Sequence, residues 1–276
     1  MIPLSYNTNG LRLIPLPQAI EVVARAGYEG IELSMHASHL HPLRATRSEI
    51  AEIKELLSSI DTEAVCLATG AADLLGDEPF EPSLISSEPS GREMRVELIV
   101  KSIEIARYLD VPVVNLASGI PKDGVSRETA WNNLVSGIRE CLKYAKDTTL
   151  AIEPEPGMMI DTTGQAIALI EAVGDPRFFL NLDIGHVCCS EEPFFPALAR
   201  AIPYARHTHV EDIKGKIHRH EIPGDGDLDF RSILKLFQEL KYPHYLSVEL
   251  YRHASVWQEA LSRSRDYLLA AMGQDN

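Results

Sequence analysis

Short apolar runs alternate with longer amphipathic stretches along the whole 276-residue chain, and no other feature restricts its fold as strongly. Ile2-Pro3-Leu4-Ser5-Tyr6 reads as a first strand, and Leu16 to Ala26 as a helix stopped by Gly27 in the C-cap position. Further strands are expected at Gly30 to Ser34, Thr62 to Ala68, Val111 to Leu116, Leu150 to Glu153, Phe178 to Asp183, Ala205 to Val210 and Tyr245 to Glu249. The helices that follow them are expected at Arg47 to Ser59, Arg92 to Leu109, Arg127 to Lys146, Thr163 to Val173, Phe195 to Ile202, Phe230 to Leu240 and Ser255 to Met272. Eight β-α units of about 34 residues each imply a parallel sheet covered by helices. No GxGxxG turn follows the first strand, where Tyr6-Asn7-Thr8-Asn9-Gly10 stands instead, so an open doubly wound sheet loses support. No linker divides the chain. The expectation is an α/β fold, a single-domain (β/α)8 TIM barrel over residues 1–276.

Charge and composition exclude several functions. Lys and Arg number 26 against 40 Asp and Glu, a net −14, which opposes a grip on nucleic-acid phosphates. Charges interrupt every apolar run before the roughly 20 residues a bilayer requires. Met1 to Gly10 has no basic segment followed by a long apolar one, so no secretory signal is expected. Cys66, Cys141, Cys188 and Cys189 lack CxxC spacing, which suits reduced thiols in a cytoplasm. A homodimer stays open, since barrels of this size commonly pair. One segment breaks the rhythm: Thr69 to Gly91 is long and rich in Pro, Ser, Asp and Glu. After a third strand it would lie on the catalytic face, as a lid or as a plain surface loop.

The chemistry collects where strands end. Four consecutive strands finish in a metal-competent side chain: Glu153, Asp183, His209 and Glu249. Three carboxylates and an imidazole on one axis would repel each other without a cation. Such an oxygen-rich set suits one divalent ion, with Mn2+ the first expectation and Mg2+, Co2+ or Zn2+ as alternatives. The competing reading pairs each carboxylate with a nearby Arg or Lys.

Glu153, Asp183-Ile184-Gly185-His186, His209 and Glu249 together resemble the xylose-isomerase-like TIM barrels. That group includes sugar-phosphate isomerases and epimerases, ketose 3-epimerases, hydroxypyruvate isomerase, inosose dehydratase and endonuclease IV. The resemblance spans the chain by strand order and implies that Glu153, Asp183, His209 and Glu249 are the metal ligands. It implies that His186 contacts a substrate oxygen, or a further metal as in the nuclease. The stretch His218-Arg219-His220-Glu221-Ile222-Pro223-Gly224 also fits, with His220 where the ketose epimerases carry a substrate-binding arginine. His186, His218 and His220 are thus candidates for substrate contact or for a second metal. The two additional histidines of the nuclease are missing at Leu67-Ala68-Thr69 and at Asn115-Leu116-Ala117-Ser118.

These residues suit proton abstraction next to a carbonyl, through a metal-stabilised enediolate with Glu153 and Glu249 as acid and base. Isomerisation or epimerisation of a small sugar, sugar phosphate or polyol-derived keto compound is the expected activity. Elimination from a keto-sugar or inosose by a dehydratase or lyase is the alternative. A nuclease-like phosphodiesterase and a non-catalytic metabolite-binding barrel are weaker alternatives. Glu155, His36 and Arg252 are further substrate-binding candidates, and specificity is expected from the loops Thr69 to Gly91 and His36 to Thr46. His207, on the same strand as His209, is expected to turn the other way and pack against helices.

Overall fold

The computed structural model describes residues 2–70, 73–122 and 124–273. Eight parallel strands close into a barrel: β1 (Leu4–Asn7), β2 (Gly30–Ser34), β3 (Glu63–Ala68), β4 (Val113–Ala117), β5 (Thr149–Glu153), β6 (Phe178–Asp183), β7 (Ala205–Val210) and, closing against β1, β10 (Leu246–Val248). Two short antiparallel strands, β8 (Asp212–Lys214) and β9 (Ile217–Glu221), form a hairpin after β7. The surrounding helices are α1 (Leu16–Arg25), α2 (Arg47–Ser58), α3 (Pro89–Leu109), α4 (Arg127–Ala145), α5 (Thr163–Val173), α6 (Ile184–Ser190), α7 (Phe194–Ala201), α8 (Phe230–Glu239) and α9 (Trp257–Ala271).

Each helix starts and stops for local reasons. Thr46 and Glu49 form a reciprocal capping box at α2, while Ser126 and Thr162 cap α4 and α5 through their hydroxyls. Gly27 (φ +82°) lets the chain leave α1 in a conformation that other residues adopt at a cost. Pro89 opens α3 three residues before the expected Arg92, because proline's fixed φ suits a first helical turn. Gly91 is therefore helical, and the expected loop ends at residue 88. Its residues 71 and 72 lie outside the described residues, as do 1, 123 and 274–276 at the ends of the expected domain.

The strands sort their side chains by period two. Leu4, Tyr6, Ile31, Leu33, Leu150, Ile152, Leu180 and Leu182 join the large apolar core between sheet and helices. The alternate positions hold Ser5, Asn7, Glu32, Asn115, Glu153, Asn181, Asp183, His207, His209 and Ser247, all buried. This barrel is therefore polar inside, where bulky branched residues usually fill the space. The expectation for His207 fails on the same rule. Residues i and i+2 share a face of a strand, so His207 points inward with His209, and its Nε2 lies 2.9 Å from Glu32 Oε2.

Candidate metal centre and active site

A cavity of about 360 Å³ opens at the C-terminal ends of the strands. Glu153 and Glu249 line it, and the fully buried Asp183 and His209 complete a group whose ligand atoms all lie within 4.8 Å of one another. His209 Nδ1 is 2.9 Å from Glu153 Oε1, 3.4 Å from Glu249 Oε2 and 3.8 Å from Asp183 Oδ2. Asp183 also caps α6, its Oδ1 accepting the His186 backbone N–H at 2.7 Å. One aspartate thus starts the helix and offers its second oxygen, buried and without a donor, to the group. An orphaned buried acceptor among two more carboxylates and an imidazole fits a divalent cation.

Asparagines hold the outer oxygens of the two glutamates. Asn7 and Asn9 donate to Glu249 Oε1 at 3.2 and 2.9 Å, and Asn115 donates to Glu153 Oε2 at 2.7 Å. The inner oxygens, Glu249 Oε2 and Glu153 Oε1, face the imidazole. Sequence reasoning passed over Asn7, Asn9, Asn115, Asn181, Glu32 and Glu211. Most betray themselves as polar residues at alternate positions of otherwise apolar strands.

Three histidines form a second group. His186 Nδ1 donates to the Pro154 carbonyl at 2.9 Å, and His220 Nδ1 donates to the Glu249 carbonyl at 3.0 Å. Carbonyls only accept, so both rings turn Nε2 toward His218 Nε2, at 2.9 and 3.1 Å. The structure brings both sites and these histidines to one cavity, together with Glu155 and His36. Arg252 is exposed on the turn Tyr251–Val256 and lies outside the cavity lining, which holds Arg12 instead. Phe80, Gly70 and Asp73 bring the segment after β3 into the wall. Buried Arg95 pins that segment by donating to the Phe80 and Pro82 carbonyls at 3.0 and 2.8 Å.

The charges are strongly coupled. Burial opposes a charge on His209, yet Glu249, Glu32 and Glu153 outweigh it and hold the imidazole well above its ordinary range. Burial pushes Glu249 well above the usual carboxylate range, with Glu153 and Asp183 adding repulsion. Burial also raises Glu155 to about 7 and lowers His220 to about 3. Burial disfavours a charge on His186, but Asp183, Glu153 and Glu155 raise it overall. A cation entering this group competes with protons, because an imidazole and carboxylates ligate only when deprotonated. Metal affinity is expected to rise with pH, with protons released on binding. Calorimetric titration in buffers of different ionisation enthalpy counts those protons, and equal affinity at about pH 6 and pH 8 would contradict the assignment.

The family model for the xylose isomerase-like TIM barrel matches residues 20–268. Fructoselysine 3-epimerase of Shigella flexneri is 21% identical over 248 residues, covering 88% of this chain and 88% of that protein. Inosose dehydratase of Clostridium perfringens is 25% identical over 259 residues, covering 84% of this chain and 81% of that protein. The crystal structure of IOLI protein with a binding zinc atom has a TM-score of 0.82 at 18% identity, covering 99% of this chain and 98% of that one. No helix among the described residues is long and apolar enough to cross a membrane.

Proposed function

The chain belongs to the xylose isomerase-like TIM barrel family, and from that premise we propose that it is a divalent-metal-dependent isomerase or epimerase of a small sugar-like keto compound. The observation that carries this reading is the convergence of Glu153, Asp183, His209 and Glu249 on the end of a cavity large enough for a monosaccharide. A divalent cation held by these four residues would supply Lewis-acid polarisation of a carbonyl and its neighbouring hydroxyl. Relatives named for epimerisation and dehydration support the same substrate class.

The chain's own residues divide the remaining work. Glu153 Oε2 and Glu249 Oε1 are the oxygens turned from the imidazole, and the asparagine amides fix their direction. One takes the proton from the carbon beside the carbonyl. The other returns a proton to the opposite face, giving an epimer, or to the neighbouring carbon, giving an isomer. His186, favoured as an imidazolium by the carboxylates around it, donates from Nε2 to a substrate oxygen. His218 and His220 meet the substrate's other oxygens beside it.

Elimination is the second reading, and Glu155 favours it. Its carboxyl lines the same cavity and, raised to about 7, carries a proton that a departing hydroxyl requires.

Elemental analysis of protein purified without chelator, beside an Asp183→Ala control, tests the site. About one Mn, Mg, Co or Zn per chain, lost in the control, supports this reading. A second ion retained by Asp183→Ala and lost from His218→Ala would assign His186, His218 and His220 as a further metal site and reopen hydrolysis. No metal after reconstitution would leave a metabolite-binding barrel. Deuterium uptake from solvent into a panel of keto sugars then separates proton transfer from simple binding.

A further inference from the structure

Glu32 lies inside the barrel with no exposed surface, and its hydrogen-bond partners His207, His209 and Ser247 are distant in sequence. Its carboxylate is 3.0 Å from His209 Nε2 through Oε1. Through Oε2 it reaches His207 Nε2 at 2.9 Å and accepts the Ser247 hydroxyl at 2.7 Å. β2, β7 and β10 thus meet on one buried carboxylate, which does not itself line the cavity.

We infer that Glu32 is the positioning residue of the metal centre: it holds the proton of His209 on Nε2 and so directs the Nδ1 lone pair at Glu153, Asp183 and Glu249. A carboxylate can only accept, so the His209 nitrogen beside it must carry hydrogen. The opposite nitrogen is the one within 3.8 Å of all three carboxylate ligands. Ser247 and His207 donate to the same carboxylate, which keeps it from rotating away from His209. A partner of this kind fixes both the tautomer and the plane of a ligating ring, and losing one typically weakens metal binding by about 10–100-fold. The inference rests on the four-residue metal site proposed above.

An amide in place of the carboxylate removes the charge beside His209 and disturbs the arrangement in either orientation. With its oxygen toward His207 and Ser247, its NH₂ faces His209 Nε2 and drives the proton to Nδ1, against the metal. With its oxygen toward His209, its NH₂ faces His207 Nε2 and the Ser247 hydroxyl, so His207 must move its proton to Nδ1 and both partners must turn from donor to acceptor. Glu32→Gln preserves volume and is therefore the informative variant.

Zinc alone, diamagnetic and without substrate, is the probe. In zinc-loaded wild-type protein, long-range ¹H–¹⁵N spectra should show His209 coordinated through Nδ1, with a slowly exchanging, strongly downfield proton on Nε2. Glu32→Gln should bind zinc about 10–100-fold more weakly by calorimetry and lose that downfield proton. Coordination through Nε2 in the wild type overturns the inference without any variant, so a misfolded Glu32→Gln cannot shelter it. A folded Glu32→Gln with unchanged zinc affinity and an unchanged His209 spectrum also overturns it, while leaving the four-residue site standing. No zinc binding by the wild type would remove that site and this inference together.

Discussion

Glu249→Gln is expected to lower turnover of the keto sugar by about 10²–10⁴-fold, and Glu153→Gln by a similar factor, the range set by positioned acid–base groups. The substitution keeps size and shape. In Glu249→Gln the new amide oxygen can still accept from Asn7 and Asn9, which now bond Glu249 Oε1, so the loop carrying Asn9 has no reason to move. The same holds for Asn115 and Glu153 Oε2. What disappears is the ability to hold a proton. Each variant also exchanges an anionic ligand for a neutral one, so metal affinity should weaken together with kcat. Assaying at saturating metal separates the two effects: recovery of kcat would assign the residue to metal binding alone. Wild-type turnover in both variants would remove the two-carboxylate mechanism. In the second reading the outcomes part. Glu155→Gln should suppress release of water from a substrate with a β-hydroxyl while leaving deuterium exchange at the acidic carbon, since Glu155 is not among the cluster ligands.

The sequence made the barrel and the convergence of Glu153, Asp183, His209 and Glu249 legible because both depend on period. Gly30–Ser34 and Phe178–Asp183 begin and end where the apolar alternation does, since each strand buries one face against helices. Thr163–Val173 is equally plain, opened by a hydroxyl cap and closed by Gly174 at φ +66°. The hairpin of β8 and β9 was invisible for the converse reason. Ile217-His218-Arg219-His220-Glu221 has no apolar alternation to announce a strand, and Ile217 is 60% exposed. Its register nevertheless decides that His218 and His220 reach His186. Helix α6 was missed because seven residues leave little room for a periodic signal, and it forms where Asp183 caps it. His207 was misplaced by a misapplied rule, not by lack of signal: the His-Thr-His-Val-Glu run puts His207, His209 and Glu211 on one face. Read with that parity, the same run exposes Glu211 and, across the barrel, Glu32. Arg252 failed differently, because proximity in sequence to Glu249 does not determine which way a turn of 3-10 helix directs its side chains.

Gly185→Ala is expected to destabilise the protein by about 1–3 kcal/mol and to reduce metal affinity as well. A Cβ at this position would lie 1.8 Å from Glu211 Oε1 and 2.9 Å from Ile213 Cγ1. Glu211 is fully buried, and neither of its oxygens meets a donor. Burial and the neighbouring Asp183 charge push its carboxyl well above the usual carboxylate range. The glycine therefore does not serve a special backbone angle; it leaves room for an acid behind Asp183. An alanine must move either that acid or the start of α6. The start of α6 is Asp183 itself, bonded to the His186 backbone, so either motion disturbs Asp183 and His186 together. Thermal unfolding and zinc titration of Gly185→Ala, Glu211→Ala and the double variant form a cycle that tests the steric cause. If the clash is the cause, Glu211→Ala should relieve it, and the double variant should unfold at a higher temperature and bind zinc more tightly than Gly185→Ala alone. Additive losses in the double variant would mean that the glycine and the buried acid act independently, and that the close fit between α6 and the segment after β7 does not set the position of Asp183.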